Sequence, residues 1–208
     1  MTEPVDDRIM WVDVETTGLD PVHDVILEIG LCCTNNDGSK VFGDLALLIH
    51  NRDEKYEDAI AAGHSHNIVG PMHQESGLWM ELQKAVDKRP WDNTMKAYTT
   101  LAATTKIANF WKELDLEAGT VVLASNSPSG VDRPFLAKQM PQVHSFFHYR
   151  TIDVSSIKEA CRRLNPRVFE SFTKPEGNHR VMGDIAACIA EWQFYIDEFL
   201  YVTYGDVV

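Results

Sequence analysis

Two strand-like apolar runs near the N-terminus, Ile9 to Val14 and Val25 to Thr34, flank the turn-rich segment TTGLDPVHD, and no other feature limits the possible folds as strongly. Such a pair reads as a β-hairpin. Asp37-Gly38 supplies another tight turn, so Lys40 to Ile49 is expected to add a third strand. An antiparallel opening of this kind needs helices on at least one face to bury its apolar side chains.

The rest of the chain alternates. Asn51 to Gly77 is polar and rich in His, Asn and Gly, and is expected to form surface loops with one short helical piece around Tyr56 to Ala62. Ser76 is expected to cap a helix from Leu78 to Lys88 that Pro90 stops. Between Thr94 and Leu114 the residues Ala97, Leu101, Ala108, Phe110, Trp111 and Leu114 recur at helical spacing, which predicts a longer helix. After Gly119 the pattern predicts a strand over Thr120 to Ala124 and a helix over Val131 to Met140. A strand over Phe146 to Asp153 and a helix over Ser155 to Leu164 follow. The last helix, starting near Gly183, carries the stripe Ile185, Cys188, Ile189, Trp192, Tyr195, Ile196, Phe199 and Leu200. This order predicts one α/β domain with an antiparallel hairpin on a mixed sheet, without repeats or linkers.

Composition excludes several classes. The chain has 208 residues, 44% apolar and 24% charged, and no run approaches the roughly 20 apolar residues of a membrane span. The acidic start, MTEPVDDR, lacks the apolar core of a secretory signal, so a cytoplasmic location is expected. Cys32, Cys33, Cys161 and Cys188 sit in apolar stretches without a C-x-x-C pair, which points to buried thiols. The net charge of −12 argues against tracking along long nucleic acid, which calls for a basic face. It leaves room for a pocket where bound divalent cations supply the positive charge.

Reactive residues cluster in three stretches. Asp13 and Glu15, two apart in WVDVETTGLDP, share one face of a strand. Their mutual repulsion would be relieved by a hard cation with oxygen ligands, although most D-x-E pairs on exposed strands are simply solvated. Asp132 follows a Ser/Gly-rich loop at a helix start, where the helix dipole alone would favour it. His179 and Asp184 in GNHRVMGDI form H-x-x-x-x-D, yet separately one could be a loop histidine and the other a helix cap.

Together, WVDVETTGLDP, VDRPFLAKQMP, FHYRTIDVSSIKEACRR and H-x-x-x-x-D, in this order, resemble the histidine-bearing subtype of the DEDD exonucleases. The HYR-x-x-DVSS-x-KE segment narrows the resemblance to the oligoribonucleases, over about Ile9 to Tyr195. The resemblance implies a ribonuclease H-like fold in a single 3′-to-5′ exonuclease domain, residues 1–208, with a mixed central sheet flanked by helices. It implies that Asp13, Glu15, Asp132 and Asp184 hold two divalent ions, Mg²⁺ or Mn²⁺, and that His179 is the general base. The expected substrate is short single-stranded RNA, dinucleotides especially, cut to nucleoside 5′-monophosphates; a long duplex or a membrane is not expected as a partner.

By the same resemblance Arg150 and Ser155, with Ser127 as a third, would hold the 5′ phosphate, although Arg150 could instead make a surface salt bridge. Leu19 would wedge against bases or anchor the core, and His73 would lie beside the substrate or serve structure alone. Tyr149 would reach toward the second subunit of a homodimer, while the stretch HSFFHYR around it could equally be an internal strand.

The chain also departs from the family pattern. Ile68 stands where many members carry a base-stacking Trp, and SNSPSGVD is one residue longer than the family loop, which puts the role of Ser127 in question. His64 and His66 lie in an unusual insertion, EKYEDAIAAGHSHN, without a third ligand for zinc nearby. Two other readings remain: a related exonuclease acting on DNA or longer RNA, and a nucleic-acid-binding relative that has lost catalysis.

Overall fold

The computed structural model describes residues 6–87, 96–173, 175 and 178–201. Its centre is a six-stranded mixed sheet in the order β4-β3-β2-β1-β5-β6. The strands are β1 (Ile9–Thr16), β2 (Ile26–Thr34), β3 (Val41–Ile49), β4 (Ala97–Tyr98), β5 (Val121–Ser125) and β6 (Phe147–Asp153). β2 pairs antiparallel with β1 and β3, whereas β1–β5, β5–β6 and β3–β4 are parallel. Gly38 takes φ 77 in the β2–β3 turn, where the Asp-Gly pair predicts it.

Alternation along β1 divides the core. Met10, Val12 and Val14 join Ile29, Leu31, Ile107 and Phe135 in one cluster, and Ile9 and Trp11 join Cys32, Ala124, Ile185, Cys188 and Tyr195 in the other. The first cluster is covered by α1 (Glu54–Ser65), α3 (Leu78–Asp87), α4 (Thr100–Glu113), α5 (Arg133–Gln139) and α6 (Pro141–His144). The second is covered by α7 (Val154–Leu164), α8 (Pro166–Ser171) and α9 (Val181–Tyr195). Period two therefore points Asp13 and Glu15 toward the side of α9. β1 is buried on both faces, because helices flank the sheet on both sides, as the sequence predicts.

Several expected elements change. Residues 51–77 are mostly helical rather than loops, because α1, capped by the Asp53 carboxylate on the Tyr56 amide, is followed at once by α2 (Val69–Glu75). Tyr56 anchors α1 by donating its hydroxyl toward the Ile26 and Ile49 carbonyls at the sheet. The helix expected from Thr94 starts instead at Thr100, capped by the Thr99 hydroxyl; Ala97 lies in β4 and Leu101 is 77% exposed. Thr94 itself, and Pro90 as a helix stop, lie outside the described residues. α9 starts at Val181, two residues before Gly183, and ends in a wider turn, Ile196–Leu200, that leaves Leu200 exposed. All four cysteines are free and buried, as expected. Among the described residues no helix is long and apolar enough to cross a membrane.

Candidate active site

Asp13 and Glu15 lie toward the C-terminal end of β1, facing Gly30 and Glu28 across the β2 ladder. Gly30 matters for what sits above them. A Cβ there would lie 2.7 Å from the Val181 Cβ, so the bare backbone lets the first turn of α9 descend onto the sheet. That turn carries Asp184, whose amide donates to the Arg180 carbonyl in the helix rather than capping its end. Carboxylate oxygens of Asp13, Glu15 and Asp184 thereby come within 4.8 Å of one another.

Asp132 reaches the cluster from the opposite strand neighbour. β1 pairs with β5 only from Ile9 to Trp11, and beyond that point the two strands are no longer laddered. A wide turn, Pro128–Asp132, follows β5 and delivers Asp132, which is 3% exposed. Its carboxylate accepts from the Ser125 hydroxyl at 2.5 Å and from the Val14 amide, not from the start of α5. Helix capping is therefore not what holds it. Ser125 was not singled out from sequence; a serine closing a buried strand seven residues before the acid is the signal that identifies it.

The electrostatics are those of acids crowded together in a mostly buried setting, opposed at Glu15 by the charge of Arg180. Burial, then the charges of Asp132, Glu15, Asp184 and Glu28, push Asp13 well above the usual carboxylate range. Burial and the nearby Asp184 and Glu28 carboxylates raise Glu15 to about 8. Burial raises Asp132 to about 7 against the opposing Ser125 hydrogen bond. A buried group of oxygen ligands that resists ionising alone has the donor chemistry of a Mg²⁺ or Mn²⁺ site.

His179 is exposed on the loop before α9 with φ 51, a left-handed conformation uncommon outside glycine. The loop is held by its neighbour, because the Arg180 guanidinium makes a two-point contact with Glu28 at 2.9 and 2.8 Å and reaches Glu81 at 2.7 Å. Glu28, 4% exposed, and Arg180 were likewise not singled out from sequence; a lone acid within the apolar run VILEIG was the available sign. His73 is fully buried, its Nε2 donating to the Thr16 carbonyl at 2.9 Å while Nδ1 faces Glu15 at 3.8 Å. Its ring lies against Glu15 of the carboxylate cluster, in a buried position that fits the structural one of its two readings.

The remaining candidates divide. Leu19 is 66% exposed and so is no core anchor. Ser127 is exposed after β5. Ser155 spends both its amide and its hydroxyl on Asp153, which caps α7. Tyr149 and Arg150 are exposed on β6, the sheet edge, with the guanidinium 5.1 Å from the Tyr149 ring and no carboxylate at ion-pair distance among the described residues. Ile68 is 64% exposed before α2. His64 stacks on Trp79 at 4.0 Å and His66 Nδ1 accepts from the Val69 amide.

An exonuclease family model matches residues 90–192, a span that holds Asp132, His179 and Asp184 but not Asp13 and Glu15. The chain is 36% identical over 188 residues to the oligoribonuclease of Cutibacterium acnes, covering 90% of this chain and 83% of that one. It is 34% identical over 195 residues to the oligoribonuclease of Escherichia coli strain K12, covering 94% and 97%. Among solved structures, the zinc-bound E. coli exonuclease I–ssDNA complex superposes with TM-score 0.63 at 14% identity over 96% of this chain, which spans 42% of that longer one. Cell-death related nuclease 4 gives TM-score 0.64 at 13% identity, covering 93% of this chain and 64% of that one. The structural likenesses establish the fold as that of these exonucleases, and identity at this level along nearly the whole length of both chains shows that the chain belongs to the oligoribonuclease family.

Proposed function

We propose that the chain is a 3′-to-5′ exoribonuclease of very short RNAs, dinucleotides above all, and that it forms one catalytic domain releasing nucleoside 5′-monophosphates. The supporting observation is the approach of Asp13, Glu15 and Asp184 oxygens within 4.8 Å in a chain of net charge −12. Asp13, Glu15, Asp132 and Asp184 would hold the metal. Two divalent cations, Mg²⁺ or Mn²⁺, would supply a water of lowered pKa and positive charge beside the departing 3′ oxygen.

The protein's own groups do the rest. His179, exposed on its loop, would take the proton of the attacking water. Exposed Leu19 offers an apolar wedge for the bases. Arg150 presents a planar fork that suits a terminal phosphate, with Ser127 beside the neighbouring strand end. Ser155 can assist only by releasing the hydrogen bond to Asp153. The exposed edge strand bearing Tyr149 supports a homodimer, and the four free thiols support a reducing, cytoplasmic setting.

The test is a rate comparison between 5′-phosphorylated two- and twenty-nucleotide RNAs with Mn²⁺ or Mg²⁺, with and without chelator. Faster cleavage of the dinucleotide, abolished by chelator, is expected; equal rates on both lengths would remove the short-substrate reading.

A further inference from the structure

The β5–β6 ladder is out of step where Arg150 lies. Val121 faces Phe147 and Leu123 faces Thr151, so two residues of β5 are matched by four of β6. The surplus chain bulges between those pairs and contains His148, Tyr149 and Arg150. A bulge on an edge strand re-aims side chains, but it also deprives backbone groups of ladder partners. Here the Arg150 amide donates to His148 Nδ1 at 3.1 Å. The His148 and Arg150 carbonyls both accept from Nη2 of Arg133, the latter at 3.0 Å.

Arg133 is the residue after Asp132, and among the described residues no carboxylate lies within ion-pair distance of it. A half-buried guanidinium whose Nη2 donates to two carbonyls of one bulge, while its buried Nε meets no hydrogen-bond partner among the described residues, serves the shape of that bulge. We infer that Arg133 is a positioning residue for substrate length: it clamps the β6 bulge to the segment carrying Asp132, and so fixes how far Arg150 stands from the metal-binding acids. A substrate whose scissile phosphate sits at those acids and whose 5′ phosphate meets Arg150 must then match one span. The inference rests on Arg150 as the 5′-phosphate contact and adds the element that sets its distance.

The experiment compares kcat/KM for a diadenylate with and without a 5′ phosphate, in Mn²⁺, for the wild type, Arg150→Ala, Arg133→Met and the double variant. Arg150→Ala removes the charge-assisted hydrogen bonds to the phosphate and is expected to reduce the phosphorylated-to-unphosphorylated ratio about tenfold or more. Arg133→Met is expected to reduce the same ratio by a similar factor, and adding it to Arg150→Ala should reduce the ratio no further. Arg133→Met with the wild-type ratio, or with equal losses on both substrates, overturns the positioning role. An unchanged ratio in Arg150→Ala refutes the phosphate contact itself, and the clamp falls with it. Should Arg133→Met not fold, Arg133→Lys keeps the charge but not the fork; at least a threefold fall in ratio supports the clamp and an unchanged ratio overturns it.

Discussion

Replacing Glu15 with Gln removes one charge from the carboxylate cluster while keeping the side chain's shape, and its effect on the metal-free protein follows from the structure. Glu15 ionises at about 8 when folded, against 4.5 for its ordinary value. Because the folded form holds this proton more tightly than the unfolded chain, unfolding releases a proton between those two pH values, and stability is lost as pH rises. The loss is about 1.4 kcal/mol per pH unit, approaching about 5 kcal/mol above pH 8 as an order of magnitude. Urea unfolding in chelator should therefore show Glu15→Gln close to the wild type near pH 4.5 and more stable by several kcal/mol near pH 9. Saturating Mn²⁺ should reverse the order at pH 9, since the carboxylate is the better ligand. Equal stabilities at pH 9, or a difference that does not change with pH, would refute a Glu15 carboxyl held neutral by burial and by its acidic neighbours.

Asp184→Ala should lower turnover of a dinucleotide by on the order of 10³-fold with little loss of stability, measured by single-turnover kinetics beside thermal melting. Gly30→Ala would place a methyl group 2.7 Å from the Val181 Cβ, so it should cost about 1 to 3 kcal/mol and also slow catalysis by lifting the turn that carries Asp184. Melting and turnover measured together check this, and a Gly30→Ala protein with wild-type activity would contradict the tight seating of α9.

Much of this was legible in the sequence because it depends on local pattern. The hairpin, the β6 strand and α7 all follow from short-range periodicity, and the boundaries of β2 and β3 fall within a residue of expectation. The acids were visible as motifs, since D-x-E on a strand already states that two carboxylates share a face, and H-x-x-x-x-D marks the entry to the last helix. What failed was whatever depends on tertiary contact. Residues 51–77 looked polar enough for loops, yet Tyr56, Val69 and His73 are buried, Tyr56 against the ends of β2 and β3 and His73 against the end of β1, and this makes α1 and α2 worth forming. Ala97 fits a helical stripe but is drawn into β4 by pairing with Leu48. His73 reads either way in the sequence because nothing local reports that the carbonyl of Thr16, far along the chain, accepts a hydrogen bond from its Nε2. The β6 bulge was equally hidden, for a mismatch of register belongs to two strands at once.

A direct measure of the central claim is the number of Mn²⁺ ions that the metal-free protein takes up at pH 8 with a nucleoside 5′-monophosphate present. Two saturable ions per chain are expected, with fewer in Asp184→Ala and in Asp132→Ala. Absence of saturable binding in the wild type, or uptake by both variants equal to it, would contradict a site built from these four carboxylates.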